Sequence, residues 1–215
     1  MTMRRVMAGE PIDLWLDALA SDLVEPAGEA FAALAGAAGA ALVGAVARRT
    51  QKRLGAEPGA ARMLEIQDEA DGAREQFLQL ADTNAEAYAS FLGILRTTPD
   101  SEETRTTRLL ALRDALESTI DGQLQIARRS VYLIGLAEEV TRVGDPNTAA
   151  DGLSAAASLH AATISALADI EINAFAIAEP DRKAELSETC GSLRARAGDL
   201  LEAVDGAFRL GTETR

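Results

Sequence analysis

The sequence predicts an all-α fold, a single bundle of about six long helices, and three observations support this prediction. Apolar residues recur at helical spacing along most of the chain, and no segment alternates apolar and polar residues as a strand would. Aromatic residues make up only 4% of the 215 residues, whereas alanine, a strong helix former, is abundant. We expect one domain over residues 1–215, with a core from about 10 to 208 and loose ends at 1–9 and 211–215.

The first two helices are predicted from a proline-led start and a long Ala/Gly-rich segment. Pro11 suits the first position of a helix whose inward face holds Ile12, Leu16, Leu19 and Leu23. The second helix runs from about Pro26 to Leu54. Its segment Ala30 to Ala47 carries no charge and approaches the length of a membrane span, but Ala and Gly gain little from lipid. We interpret it as a central buried helix with a stripe of small residues, Gly36, Ala40 and Gly44.

Breaker residues and helical spacing predict the third and fourth helices. The third follows the break at Gly55–Gly59 and ends near Pro99. The fourth begins at the cap-like run Asp100–Glu103, and Gly122 is the point at which it would bend. The residues expected to face inward on these two helices are Met63, Ile66, Phe77, Leu80, Ala87, Phe91, Leu95, Leu109, Leu112, Leu116, Ile120, Leu124 and Ile126.

A tight corner separates the fourth helix from the fifth. Gly144 suits a helix end, whereas Asp145 and Pro146 suit the cap and first turn of a new helix. The fifth helix ends before Pro180, and a sixth runs to about Phe208. The inward residues of the fifth are Leu153, Leu159, Ile164, Leu167, Ile170 and Ile172.

Charge and composition exclude several classes of function. A net charge of -13 disfavours nucleic acid or an anionic membrane as a partner. Glu10 and Asp13 interrupt the segment after the basic N-terminus, so we expect no signal peptide and a cytoplasmic protein. Cys190 is the only cysteine, which excludes an internal disulfide and predicts an inert packing thiol. The only histidine, His160, is interpreted as a packing or surface residue, and we predict no metal site.

Two groups of motifs lie in order along the chain. Glu25–Ala30 leads into the Ala/Gly-rich helix, and Gly144, Asn147, Asp151 and Asn173 follow far downstream. Together they resemble the cyclodeaminase/cyclohydrolase family of folate one-carbon enzymes, over about Glu10 to Val204. The resemblance implies a helical homodimer, with the small-residue face or its neighbours in the contact. It also implies a tetrahydrofolate derivative as substrate, with no metal and no covalently bound cofactor.

The family hydrolyses methenyltetrahydrofolate to the formyl form, or expels ammonia from the formimino form. Either reaction needs a carboxylate that moves a proton beside a cationic carbon. In the family, the second Asp of an Asp-x-Asp-Ala-x-Ala-aromatic motif is the presumed acid/base. This chain has Asn84 there, within Asp82–Tyr88, and an amide cannot exchange a proton near neutral pH.

Two further departures fall on the family's other motifs. The Pro-Gly-Gly-Gly-Ser turn becomes Pro26-Ala27-Gly28-Glu29-Ala30, and Cβ atoms at 27 and 29 restrict the backbone. Glu29 either complements the helix N-terminus or faces the pocket. The first of the family's paired asparagines is Asp169, while Asn173 is kept. Asp169 either acquires a raised pKa and moves protons or pairs with an arginine.

The resemblance and the departures define a set of candidate residues. The catalytic candidates are Asp82, Asn84, Asp151 and Asp169. The substrate-binding candidates are Pro26, Gly28, Glu29, Asn147, Asn173, Arg49 and Lys52. Asp82, with Glu86 one turn away, is alternatively a solvated carboxylate, and Asp151 alternatively braces the corner. Arg49 and Lys52 either complement the end of the second helix or receive the glutamate tail of a folate.

Three classes of function remain open. The first is a folate enzyme, most simply a methenyltetrahydrofolate cyclohydrolase, in which a carboxylate other than position 84 moves the proton. The second is a relative whose reshaped cleft acts on a different cationic or imine-like small molecule. The third is a non-catalytic binding or assembly protein that keeps only the bundle.

Overall fold

Six α-helices and no strand make up the protein in a computed structural model that describes residues 11–22 and 28–213. The helices are α1 (Ile12–Leu19), α2 (Gly28–Leu54), α3 (Ala60–Leu95), α4 (Glu102–Val143), α5 (Ala149–Ala174) and α6 (Pro180–Glu213). A 3₁₀ turn, Pro146–Thr148, connects α4 to α5. The predicted all-α class and the number of helices are confirmed.

The Ala/Gly-rich helix α2 lies at the centre and packs against α3, α4 and α5. A Cβ at Gly36 would lie 2.7 Å from the Phe77 ring of α3, and one at Gly39 would lie 2.6 Å from Leu159 of α5. The small residues therefore let both neighbouring helices approach closely. The stripe is buried against α3 of the same chain, so a contact with a second subunit would have to use its neighbours, of which Ala38 and Ala41 are exposed. The homodimer itself stays a prediction.

Two helical segments, Ala30–Leu54 and Pro146–Ala174, are long and apolar enough to cross a membrane by length and composition alone. Of the first apolar window, 67% is buried inside the bundle. A buried core helix passes such a test as readily as a membrane span does. The interpretation of α2 as a central buried helix is confirmed.

Specific caps define the two corners that orient α4 and α5. Ser101 Oγ accepts a hydrogen bond from the Thr104 backbone N–H, and the Thr104 hydroxyl accepts one from the Ser101 N–H. At the second corner, the Asp145 carboxylate accepts from the Asn147 N–H, and Asp145 N–H donates to Thr50 Oγ1 at 3.0 Å. Both starts agree with the sequence prediction, and the second ties the corner to the end of α2.

The predicted inward face of α1 is wrong at Ile12 and Leu16, whereas Leu19 is partly buried and Leu23 lies outside the described residues. Trp15 and Ala18 are its buried residues, whereas Ile12 and Leu16 are 57% and 50% exposed. The Trp15 indole carries the largest apolar surface of the helix, and its burial therefore sets the helix's rotation. Pro11 flanks the helix as its N-cap and is not its first helical residue.

Leu95 and Leu109 were predicted to be inward but are exposed, because helix lengths differ. α3 and α4 have 36 and 42 residues, whereas the described α2 and α5 have 27 and 26. The end of α3 and the start of α4 consequently project past their partners. We call this projecting hairpin, residues 85–118, the α3/α4 tip.

Three smaller differences concern the helix ends and one glycine. Ile172, predicted to be inward, is 67% exposed in the last turn of α5. α6 continues to Glu213, past its predicted end at Phe208 and into the segment predicted to be loose. α4 runs without interruption through Gly122, and the glycine instead makes room for a side chain of α3. The predicted loose segment 1–9 lies outside the described residues.

Candidate functional site

The antiparallel packing of the helices brings polar residues from four segments to one end of the bundle. Asp169 of α5 lies beside Gly28 of α2, and Asn84 of α3 packs on Gly122 of α4. Gln123 is next to Gly122 in sequence, and Asn173 lies one turn beyond Asp169. We call this group the Asp169 end; its residues are Gly28, Asn84, Gly122, Gln123, Asp169 and Asn173.

Asp169 is a partly buried carboxyl group with one unpaired oxygen. A Cβ at Gly28 would lie 3.6 Å from its Oδ1, and Ser165 Oγ donates to Gly28 O at 3.2 Å, so α5 lies against the start of the described α2. Its Oδ2 is buried and has no hydrogen-bond partner. Burial raises the pKa of Asp169 from its ordinary 3.8 to about 6. Within residues 11–22 and 28–213 no arginine pairs with it, which removes the alternative of an Asp–Arg pair inside the bundle.

Asn84 and Gln123 add buried amides that lack partners. Asn84 is 2% exposed and Gln123 is 0% exposed. The Asn84 Nδ2 and both amide atoms of Gln123 have no hydrogen-bond partner. A Cβ at Gly122 would lie 2.0 Å from Asn84 Oδ1, so this glycine is needed for the amide to lie where it does.

Leaving a buried polar group unpaired costs about 1–3 kcal/mol, and such groups are rare away from functional sites. Four of them, on Asn84, Gln123 and Asp169, occur at this one end of the bundle. A fifth, Ser130 Oγ, lies two turns further along α4. This concentration makes the Asp169 end the strongest candidate site.

Gln123 was missed in the sequence analysis. A signal was available, because Gln123 lies on the helix face that carries Ile120, Ile126 and Ala127. That face is buried, whereas Asp121 and Gln125, on the other side of α4, are exposed. The closeness of Gln123 to Asn84, however, depends on how α3 and α4 pair.

The remaining candidates near this end either do not share a helix face with Asn84 or lie outside the described residues. Asp82 is partly exposed and Glu86 is exposed, and both make interactions with neighbours. Two residues apart on a helix, Asp82 and Asn84 do not share a face. Pro26 lies outside the described residues, and so does the side chain of Glu29.

The other predicted site residues lie at the opposite end of the bundle. Arg49 donates to the Asp151 carboxylate at 2.6 Å, and both side chains are substantially exposed, at 58% and 41%. The Asn147 amide donates to the Asp145 carboxylate, within the corner. Lys52 is exposed and has no partner among the described residues. We call Arg49, Lys52, Asn147 and Asp151 the Arg49 end; Asp151 and Asp169 are about 27 Å apart along α5.

A groove of about 770 Å³ runs between α3 and α4. We call it the α3/α4 groove. Its polar lining among the described residues consists of Gln76, Gln79, Thr83, Gln125, Arg128, Arg129 and Tyr132. Thr83 precedes Asn84, so the groove adjoins the Asp169 end.

Neither metal ligands nor a reactive thiol were found at these sites. Among residues 11–22 and 28–213, no three His, Cys, Asp or Glu side chains are grouped so that they could hold a metal ion. Cys190 is buried in the core, and desolvation raises the pKa of its thiol, as expected for a packing residue.

Comparisons with known proteins agree with this architecture. A family model described as formiminotransferase-cyclodeaminase matches residues 11–192. A methenyltetrahydrofolate cyclohydrolase from Methylorubrum extorquens is 29% identical over 199 residues, which cover 92% of this chain and 96% of that protein. The crystal structure of a formiminotetrahydrofolate cyclodeaminase from Thermotoga maritima matches with a TM-score of 0.84 and 23% identity, covering 94% of this chain and 98% of that one.

Proposed function

Because the chain belongs to the formiminotransferase-cyclodeaminase family, we propose that it acts on a tetrahydrofolate derivative, most simply as a methenyltetrahydrofolate cyclohydrolase. The observation that carries this proposal is its similarity, over nearly the whole length of both chains, to the cyclohydrolase of Methylorubrum extorquens. The alternative reaction within the family, loss of ammonia from the formimino form, would use the same bridge carbon.

The acid/base group in this proposal is Asp169. Its raised pKa keeps both protonation states populated near pH 6, whereas Asn84 cannot exchange a proton. Water adds to the cationic methenyl carbon and gives one proton to the Asp169 carboxylate. The acid returns that proton to the departing nitrogen as one C–N bond breaks. The second water proton leaves to solvent, so the products are the formyl compound and one released proton.

The buried amides of Asn84 and Gln123, together with Asn173, would supply hydrogen bonds to the substrate in this proposal. Amide groups donate and accept, so they suit a ring system whose edge carries both functions. Their unpaired atoms support this role, because a bound ligand would satisfy groups that otherwise lower stability. Gly28 leaves the space beside Asp169 Oδ1 free of a side chain.

The residues of the Arg49 end have a structural role in the proposal. The exposed Arg49–Asp151 pair links the end of α2 to the start of α5, and Asn147 completes the turn between α4 and α5. The homodimer and the cytoplasmic location remain predictions, to be checked by light scattering and by fractionation.

A different substrate class is the second candidate, and a specific observation favours it. Asp169 introduces an acid where the family has an amide, beside the substituted turn at Gly28. Such a site attracts a cation more strongly than the family's site does. A basic or imine-like molecule other than a folate would therefore be the first alternative.

The test is absorbance-followed hydrolysis of methenyltetrahydrofolate by the pure protein, with a parallel binding titration of a reduced folate. We expect enzyme-dependent decay in the wild type that is lost in Asp169→Asn. Asn84→Asp should leave the decay within a few-fold, because the proton does not travel through position 84. Asp151→Asn, the same carboxylate-to-amide change on the same helix, is the matched control.

The other outcomes separate the alternatives. Binding without decay would favour a non-catalytic folate-binding protein. Absence of both binding and decay would remove folate and favour the cationic alternative. Decay that is lost in Asp151→Asn and kept in Asp169→Asn would move the acid/base to the Arg49 end.

A further inference from the structure

We infer that the α3/α4 groove binds the anionic glutamate end of the substrate, through Arg128 and Arg129. The inference rests on the proposed function for the identity of the ligand. It places the anion subsite on α4, although the sequence had suggested the cations near the end of α2.

The charge of the groove is opposite to that of the chain. The chain carries -13, yet among the described residues that line the groove none is Asp or Glu and two are Arg. Two adjacent guanidinium groups that share one groove repel each other, and a bound carboxylate would relieve that repulsion. Guanidinium groups also bind carboxylates with two parallel hydrogen bonds.

The two arginines are in different states. Arg129 donates to the side-chain oxygen of Gln76 across the groove. Arg128 is exposed and has neither an ion pair nor a hydrogen bond with any residue within 11–22 and 28–213. Glu69, at the rim, is occupied by the Tyr132 hydroxyl and by Arg62. Arg128 is therefore a cation available to a ligand, and Arg129 is held in position beside it.

The distance along the helices fits the shape of a folate. Arg128 lies about 9 Å from Gly122 along α4, at 1.5 Å per residue. One benzoyl ring and one amide separate the reacting part of a folate from its glutamate, a span on the order of 10 Å from ordinary bond lengths. Arg49 lies about 30 Å from Gly28 along α2, which is beyond the reach of a single glutamate.

Steady-state kinetics on two substrates provide the first test. Methenyltetrahydrofolate carries the glutamate, and the corresponding methenyltetrahydropteroate lacks it. We expect Arg128→Gln to raise KM for the first substrate about tenfold, the loss of one charge-assisted interaction, and to leave kcat unchanged. KM for the second substrate should not change. Arg105→Gln, the same charge change on the same helix, should alter neither value.

Calorimetric titration with tri-γ-glutamate gives a readout that does not depend on turnover. We expect saturable binding to the wild type that weakens with salt and falls about tenfold in Arg128→Gln. Arg49→Gln, which tests the competing cation cluster, should bind as the wild type does.

Each outcome decides the question. Loss of triglutamate binding in Arg49→Gln with retention in Arg128→Gln would overturn the inference in favour of the Arg49 end. An equal rise of KM for both substrates in Arg128→Gln would show that the arginine supports the fold and not the tail. Triglutamate binding without turnover of either substrate would refute the proposed function and keep the groove as a carboxylate site. Absence of triglutamate binding to the wild type would refute the inference that the groove is an anion site.

Discussion

Helix α5 carries an aspartate near each end, and the two have opposite surroundings. Asp151 is exposed and forms a 2.6 Å ion pair with Arg49. Asp169 is partly buried, has an unpaired oxygen and has a pKa raised to about 6. An exposed ion pair contributes little to stability, whereas a buried unpaired carboxylate lowers it. The comparison shows that partner and burial, more than residue type, separate a structural aspartate from a candidate catalytic one.

The largest expected effect would come from neutralising each aspartate in turn. Asp169→Asn should lower kcat by about 10²–10⁴-fold, the usual contribution of a general acid/base, while Asp151→Asn changes it less than about threefold. Stopped-flow or steady-state absorbance assays measure both. Equal losses of kcat in the two variants would show that Asp169 is no more catalytic than Asp151.

A second, smaller effect concerns the packing of the Asp169 end. Gly122→Ala should lower the free energy of unfolding by about 1–3 kcal/mol, because the new Cβ would lie 2.0 Å from the Asn84 Oδ1. Adding Asn84→Ala should recover part of this loss by removing the contacting amide. Urea unfolding of the single and double variants measures the coupling. Strictly additive effects would contradict the close approach. Gly135→Ala, on the same helix with open space around its Cβ position, is the matched control.

The raised pKa of Asp169 predicts a pH dependence of stability. The folded protein holds the proton up to pH about 6, while the unfolded chain releases it near 3.8. Between these values the folded state binds more protons, so the contribution of Asp169 to stability falls as pH rises and is constant above about pH 7. The free energy of unfolding of Asp169→Asn should therefore rise relative to that of the wild type by about 1–2 kcal/mol between pH 4 and pH 7, less than the full shift implies because the carboxyl is partly exposed and screened. Urea unfolding at several pH values measures this difference. A difference in free energy of unfolding that stays constant from pH 4 to pH 7 would contradict the prediction.

The smallest effect belongs to the Arg49 end. Removing the ion pair through Arg49→Gln, Asp151→Asn and the double variant should give a coupling free energy of about 0.2–1 kcal/mol, because both side chains are exposed and screened. A coupling above 2 kcal/mol would mean that this pair is more than a surface contact. Thermal unfolding at two salt concentrations measures it.

The sequence predicted the helices well because their signals are local. Apolar spacing, the breaks at Gly55–Gly59 and the caps at Ser101 and Asp145 each lie within a few residues. The division of the candidates into two ends was not predicted, because it depends on which helices pair and in which register. Asp151 and Asn173 belong to one motif in sequence, yet the length of α5 separates them. The Arg49–Asp151 contact joins positions far apart in the chain and has no local signal.

The α3/α4 tip should open at a lower free energy than the central helices of the bundle. Below the tip, α2 and α5 cover both long helices. Within the tip, α3 and α4 pack on each other, and ion pairs of Arg113 with Glu179 and of Glu117 with Arg182 hold its base to the start of α6. The amides of the tip should therefore exchange their hydrogens through a sub-global opening that leaves the central helices intact. Asn84 lies at the boundary between the tip and these central helices, so an opening of the tip would hydrate the end of the bundle that holds Asp169 without unfolding the core.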